Sequence, residues 1–241
     1  MGTIHRFDTL DSTMTKAAEL ASAGAESGTV VLAREQTAGQ GRLGRTWHSE
    51  PGAGLYLTEI VRFKLCPDTL PVVTLALGLA VAEAITDFTG ASCDIRWPND
   101  VLINGRKVAG LLAQLHNGVL LAGIGINVNH AGFPEDLAGI ATSLRLATGR
   151  EQDAESLLPT LIGKIDSWLE LLFTQGKDPV LRTFTQASSY VRGRRVIVDQ
   201  VDGTIHGTTD GLNPQGFLYV RQNDGRRTLI LAGGVRPAPD S

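Results

Sequence analysis

Three glycines and two arginines stand close together in TAGQGRLGRTW, residues 37–47. Gly39, Gly41 and Gly44 free the main chain, and Arg42 and Arg45 ride on it. Glycine lets backbone N–H groups come near an anion, and a guanidinium grips phosphate or carboxylate through paired hydrogen bonds. With Trp47 just behind, this is the make-up of an arm that closes on a phosphorylated ligand, or of a solvated hairpin loop. The glycines also spell G-x-G-x-x-G. A dinucleotide-binding unit needs a helix directly after that turn. Here the chain continues RTWHSEPGAGLYL, with Pro51, Gly52 and Gly54, and then a strand pattern. A Rossmann unit is therefore not expected, although Glu59 stands 20 residues beyond Gly39, where a ribose-binding acid would fall. A Walker phosphate loop is excluded, because G-x-x-x-x-G-K-[ST] does not occur.

A second group lies in RWPNDVLINGRKVAGLL, residues 96–112. Pro98 interrupts a strand ladder, and Asn99 and Asp100 suit a turn. Asn104-Gly105 between two strand-like runs signals a two-residue hairpin. That register sets Ile103 opposite Arg106 and Leu102 opposite Lys107. Asp100 becomes a diagonal neighbour of Lys107, within reach of its long side chain. The ammonium then sits near Asp100 and the arginine loop; an exposed strand lysine is the plain alternative. A third stretch, AGIGINVN at 122–129, ends a very apolar run. Gly123 and Gly125 allow another backbone or a flat ligand to approach, while Asn127 alone would serve as a strand-end cap.

The elements that must position these groups follow from patterning. A short strand is expected over 3–6. Asp11, Ser12 and Thr13 are N-cap residues before a helix over 14–23. Strands are expected over 28–34 and 54–62, and Pro71 opens a long apolar helix that ends near Gly90. Strands over 94–97, 101–103, 107–115 and 119–126 make an antiparallel meander with turns at Asn104-Gly105 and Asn117-Gly118. Helices are expected over 153–174 and 179–188. Beyond about Tyr190 come short strands and tight turns, among them Asp202-Gly203 and Asp210-Gly211, the pattern of a small β-barrel appended to an α/β core.

In this order the motifs resemble those of the biotin protein ligase family. They are D-S-T at Asp11–Thr13, E-Q-T-A-G-x-G-R-x-G-R-x-W at Glu35–Trp47, [KR]-W-P-N-D followed by a lysine and glycine at Arg96–Gly110, and G-x-G-x-N at Gly123–Asn127. The resemblance implies an α+β fold: a catalytic domain over 1–188 like class II aminoacyl-tRNA synthetases, with a mixed, mostly antiparallel sheet, and a small SH3-like β-barrel over 189–241. It implies a ligase that activates biotin with ATP and Mg2+ as biotinyl-5'-AMP and transfers it to a lysine of a biotin carboxyl carrier protein domain. Lys107 would bridge the biotin carboxylate and the α-phosphate, Arg42 would hold the adenylate and Arg45 the leaving pyrophosphate. Ser12, Thr13 and Gln36 would bind the ureido head, and Gln40, Gly41, Gly110 and Leu112 would border the biotin pocket. Trp47, Arg96, Asn99, Asp100 and Asn127 would lie near ATP, with Asp100 also helping to deprotonate the incoming lysine. Met14 stands where the family usually has asparagine, which bears on one polar contact at the biotin head. Arg96 stands where lysine is common, which keeps the charge and changes its geometry. Family members often pair through an edge strand, so a homodimer is a further expectation.

Composition narrows the alternatives. The 241 residues carry a net charge of −3, with 42% apolar and 20% charged residues. That balance fits a globular chain and lacks the basic excess of a general nucleic-acid binder. Cys66 and Cys93 are the only cysteines, and the five histidines show no H-x-x-x-H spacing, so no metal site is expected. The N-terminus has no apolar core of a signal peptide, and the run from Val72 to Ile85 is short for a membrane span. A cytoplasmic enzyme is expected, without membrane or DNA binding, since the first motif leaves no room before it for a helix-turn-helix. No M-K-M occurs, so the acceptor lysine is expected on another protein. The rival readings are a lipoate or octanoate transferase and a non-catalytic ligand-binding adaptor.

Overall fold

The computed structural model describes residues 2–63, 67–200 and 203–239. Cys66 and Asp202, both named above, lie outside the described residues. Seven strands build the first sheet: β1 (Ile4–Leu10), β2 (Thr29–Gln36), β3 (Gly54–Val61), β4 (Asp94–Arg96), β5 (Asp100–Ile103), β6 (Arg106–His116) and β7 (Val119–Asn127). Their order is β1-β2-β3-β7-β6-β5-β4. β1 and β2 run parallel, joined by α1 (Thr13–Ser22), and the other neighbours are antiparallel. A mixed, mostly antiparallel sheet is thus what the resemblance implied, and the antiparallel meander from β4 to β7 is what the patterning led to. The expected hairpin register holds next to the turn, with Leu102 paired to Lys107 and Ile103 to Arg106, and then shifts by one residue, so that Val101 pairs with Ala109 and Asp100 with Gly110.

The two faces of the sheet are covered differently. On one, α1 packs Met14, Ala17 and Ala21 against Val31, Ile60, Leu112 and Leu121. The Ser12 hydroxyl caps this helix by accepting from the Met14 N–H at 3.2 Å. The other face carries α2 (Leu70–Thr89), α5 (Ala154–Gln175) and α6 (Lys177–Ala187). Pro71 sits in the first turn of α2, and Gly90 ends it with a φ of 75°. The 20 residues of α2 do reach the length and apolarity of a membrane span, contrary to the expectation drawn from its apolar run. What marks it as a core helix is that it lies buried between the sheet, α5 and α6. The short helices α3 (Glu135–Ala138) and α4 (Leu144–Thr148) were not expected. Each has too few residues for a hydrophobic period to show. β1 also outruns its expected end, because its pairing with β2 extends to Leu10 and Gln36.

The remaining strands, β8 (Arg192–Gln200), β9 (Gly203–Leu212), β10 (Leu218–Gln222), β11 (Arg227–Ile230) and β12 (Gly234–Pro237), form a separate antiparallel sheet. Its order is β11-β10-β9-β8-β12, and among the described residues no pairing joins β11 to β12 to close it. It is fastened to the first sheet by Trp97, whose indole N–H donates to the Gly216 carbonyl at 2.9 Å. The Trp97–Pro98 peptide is cis.

One charged group lies inside the helix-covered face. Glu59 shares one face of β3 with Leu55, Leu57 and Val61 and is 1% exposed. Burial, and then Asp166 on α5, push its carboxyl pKa up to about 8. The unfolded chain ionises this group near pH ~4.3, so between there and about 8 the native state binds more protons. Stability should therefore fall as pH rises across that window, by at most about 1.4 kcal/mol per unit. Glu59→Gln is expected to flatten the slope. Urea melts of both proteins at pH 5, 6, 7 and 8 would show it, and parallel slopes would refute it.

Candidate active site

The glycine loop leaves β2 and folds back as a tight hairpin. The Gly41 N–H donates to the Arg45 carbonyl at 2.7 Å, the Trp47 N–H donates to the Gly39 carbonyl at 2.9 Å, and Gln40 pairs with Thr46. At its tip the chain makes a single 3-10 turn over Arg42–Gly44, with Leu43 at φ 57° and Gly44 at φ 72°. Gly44 takes that left-handed conformation without cost, whereas Leu43 pays for it. The two arginines are thereby sent in different directions. Arg42 donates to Asn99 Oδ1 at 3.2 Å. Arg45 reaches the second sheet, its guanidinium lying against Gly234.

Behind Arg42 lies a half-buried ion cluster. Asp100 accepts from Arg96 at 2.7 Å through Oδ2 and meets the Lys107 ammonium at 2.5 Å through Oδ1. The side chains of Arg96, Asp100 and Lys107 are 17%, 16% and 29% exposed, so Lys107 is not the exposed strand lysine of the plain alternative. Burial alone would raise the Asp100 pKa; Lys107 and Arg96 outweigh it and hold the carboxyl below its ordinary value. Burial lowers the pKa of Arg42, with Asp100 opposing and Arg45 assisting. A guanidinium starts so high that it stays charged. Asn99 is fixed between the two arms, donating to the Leu111 carbonyl at 2.9 Å while it accepts from Arg42.

The glycines of the third stretch form a floor. Gly110 and Gly125 are paired across β6 and β7, and so are Leu112 and Gly123. Trp47 rests on this floor: a Cβ at Gly125 would come within 2.5 Å of its indole, and one at Gly110 within 2.6 Å. A Cβ at Gly123 would likewise meet the Met14 sulfur at 2.6 Å. The flat group for which these glycines make room is thus the indole of Trp47. Lys107 Nζ stands 5.2 Å from the centre of that ring.

At the far end the groups are polar and buried. Gln36 Oε1 accepts from the Thr13 N–H at 2.8 Å and the Thr13 hydroxyl at 3.0 Å, and Thr13 in turn accepts from Thr58 at 2.9 Å. Ser12 and Thr13 are 1% and 3% exposed. Asn127 is also buried and donates to the Thr142 carbonyl at 3.0 Å, so a structural bond occupies its amide.

All these parts line one cavity of about 480 Å³. Ser12, Thr13, Gln36, Gln40, Gly41, Arg42, Arg45, Trp47, Arg96, Asn99, Asp100, Lys107, Gly110, Leu112 and Asn127, the residues given a binding or catalytic role in the sequence, border it, whereas the loop glycines Gly39 and Gly44 do not. Residues that sequence reasoning missed border it too. Asp199, Gly234 and Arg236 come from the second sheet, and Phe133, Leu137 and Ile140 from the segment around α3. No short motif marks them. The lining carries five arginine or lysine side chains against two carboxylates, Asp100 and Asp199. Both carboxylates are already paired, Asp199 with Arg236 at 3.0 Å. Such a cavity draws anions.

Residues 6–130 match the model of the biotin/lipoate A/B protein ligase family. The chain belongs to that family. Within it, the chain is 34% identical over 232 residues to the bifunctional ligase/repressor BirA of Bacillus subtilis, covering 93% of this chain and 71% of that one. It is 33% identical over 236 residues to the biotin--[acetyl-CoA-carboxylase] ligase of Paracoccus denitrificans, covering 92% and 95%. A solved structure of the biotin protein ligase from Aquifex aeolicus in complex with biotin and ATP superposes with a TM-score of 0.88 at 30% identity, over 99% of this chain and 100% of that one. In this biotin/lipoate A/B protein ligase the family match ends at residue 130, whereas the cavity continues into β8 and β12. The Aquifex superposition covers those strands as well.

Proposed function

We propose that the chain joins biotin to ATP as biotinyl-5'-AMP and passes the biotinyl group to a lysine of a biotin carboxyl carrier domain. The observation that carries this is the two-ended cavity: an apolar, glycine-floored end closed by Ser12, Thr13 and Gln36, and an end rich in cations. A ring system with a polar head and a short acyl chain suits the first, and a triphosphate suits the second. Names of relatives and the Aquifex complex support the same reading.

The chemistry needs two anions brought together. A carboxylate oxygen attacks the α-phosphorus, the bond to the bridging oxygen breaks, and pyrophosphate leaves. In this reading Lys107 stands between carboxylate and α-phosphate, Arg42 takes the phosphate side and Arg45 the departing pyrophosphate, which their common lining of the cavity supports. In the second step the neutral lysine amine attacks the acyl carbon, the bond from that carbon to the phosphate oxygen breaks, AMP leaves, and the proton released from the amine passes to solvent. We assign Asp100 the orientation of Lys107 and Arg96. A carboxylate held below its ordinary pKa, with both oxygens engaged, is a poor base for deprotonating the incoming lysine. Magnesium would arrive with ATP and be held chiefly by its phosphates, because both lining carboxylates are already paired with cations. We take residues 1–188 as the catalytic unit and 189–241 as a small SH3-like unit whose β8 and β12 supply one wall of the cavity, at Asp199, Gly234 and Arg236.

The test is mass spectrometry of the small molecules formed from MgATP and either biotin or lipoate, without carrier. Biotinyl-AMP with pyrophosphate is expected. Lipoyl-AMP would replace the substrate, and no adenylate with either acid would refute the enzyme reading. A related outcome concerns retention. Arg42→Gly removes the guanidinium that bridges the loop to Asn99. It should release adenylate into solution and label lysines of unrelated proteins. Unchanged retention would remove Arg42 from this role.

A further inference from the structure

At the edge of the cavity, which His48 borders, three side chains with no part in this chemistry converge. One ring nitrogen of His48, one of His130 and one carboxylate oxygen of Glu50 all lie within 4.8 Å of one another. His130 is 0% exposed, and its Nδ1 makes no hydrogen bond of good geometry, although the Ala53 backbone acts on the ring. An unsatisfied polar atom in the interior is costly, and a protein keeps few of them. We propose that His48, Glu50 and His130 bind one divalent transition-metal ion of the zinc class, at a site distinct from the magnesium that accompanies ATP.

The donor set fits such an ion. Two imidazoles and a carboxylate suit zinc and its neighbours rather than magnesium or calcium, which take oxygen ligands. Three protein ligands leave a position for water. The surroundings hold the groups as outer partners hold ligands. The Tyr56 hydroxyl lies 3.3 Å from His130 Nε2 and accepts from the Glu50 N–H at 3.1 Å. Phe133 stacks on the His130 ring with centroids 5.1 Å apart. Such partners fix ring orientation at metal sites. Ligand atoms around tetrahedral zinc stand about 3.4 Å apart at bond lengths near 2.1 Å. Glu50 is exposed, so its side chain is free to close that gap.

His48 and Glu50 belong to the segment leaving the glycine loop, next to Trp47, whereas His130 follows the end of β7. An ion here would clip the loop's exit to the strand that forms the cavity floor. Linear spacing concealed the site, because His130 is 82 residues from His48.

The full chain, stripped with chelator and free of nucleotide, should be titrated with Zn2+ by calorimetry and with Co2+ by visible absorption. One equivalent is expected, with cobalt bands typical of nitrogen and oxygen ligation and a higher melting temperature with zinc. His48→Ala and Glu50→Gln should each weaken binding by at least about tenfold. Circular dichroism checks their folding, and exposed Glu50 carries the test if His48→Ala misfolds. No saturable binding, or unchanged affinity and stoichiometry in a folded Glu50→Gln protein, would overturn the proposal.

Discussion

Lys107→Ala should lower the rate of adenylate formation by about a hundred- to a thousandfold, the usual consequence of deleting one donor to a developing negative charge. The position argues for the upper part of that range. Lys107 is the cation that reaches both Asp100 and the ring of Trp47, so it stands between the ion cluster and the glycine floor. A carboxylate and an α-phosphate that meet there repel each other, and a cation between them offsets that repulsion. Folding should survive, since Arg96 still pairs with Asp100 and the main chain of Lys107 keeps its bonds to Ile140 and Thr142. Lys107→Arg should recover only part of the rate, because a planar fork cannot take the place of a compact ammonium. Pyrophosphate release from MgATP and biotin, beside a thermal melt, separates chemistry from stability. A Lys107→Ala enzyme within a few fold of the parent would end the assignment.

How much of this was legible in the sequence differs by element. The turn of the hairpin from β5 to β6 was, because Asn104-Gly105 sets the pairs Ile103–Arg106 and Leu102–Lys107; the shift between Val101 and Leu102 that sets Asp100 opposite Gly110 was not, although Asp100 still meets Lys107. The caps at Ser12 and Gly90 were, since local chemistry decides them. The wall from the second sheet was not. Asp199 and Arg236 look like ordinary strand charges, and only the packing of β8 and β12 against the loop brings them to the cavity. Nor was the meeting of His48 with His130, which depends on β3 and β7 being neighbours. Gly123 and Gly125 were correctly read as places of close approach, yet the sequence did not say that Trp47 is what approaches.

That approach makes the floor glycines testable. Gly125→Ala would set a Cβ 2.5 Å from Trp47 Cε2 and 2.8 Å from Cζ2 and Nε1. Carbon atoms in contact prefer about 3.5–4.0 Å, so something must move by about 1 Å. The backbone is the harder part to move, because Gly125 is paired with Tyr56 on one side and Gly110 on the other. The indole has no flexible end to yield, so the whole ring must lift. Its main chain is tied to Gly39, so the loop that carries Arg42 and Arg45 lifts with it. Overpacking of this kind costs about 1–3 kcal/mol of stability. A displacement of about 1 Å in positioning groups costs up to about a hundredfold in rate. Gly125→Ala is therefore expected to lose at least tenfold in adenylate formation while it remains folded, with altered tryptophan fluorescence. Gly163→Ala is the control. It lies within α5 with nothing within 4 Å of a new Cβ, and it should gain about 0.5–1 kcal/mol from helix propensity with no change in rate. If Gly125→Ala matched that control in rate, the indole would have no part in holding the loop over the substrates.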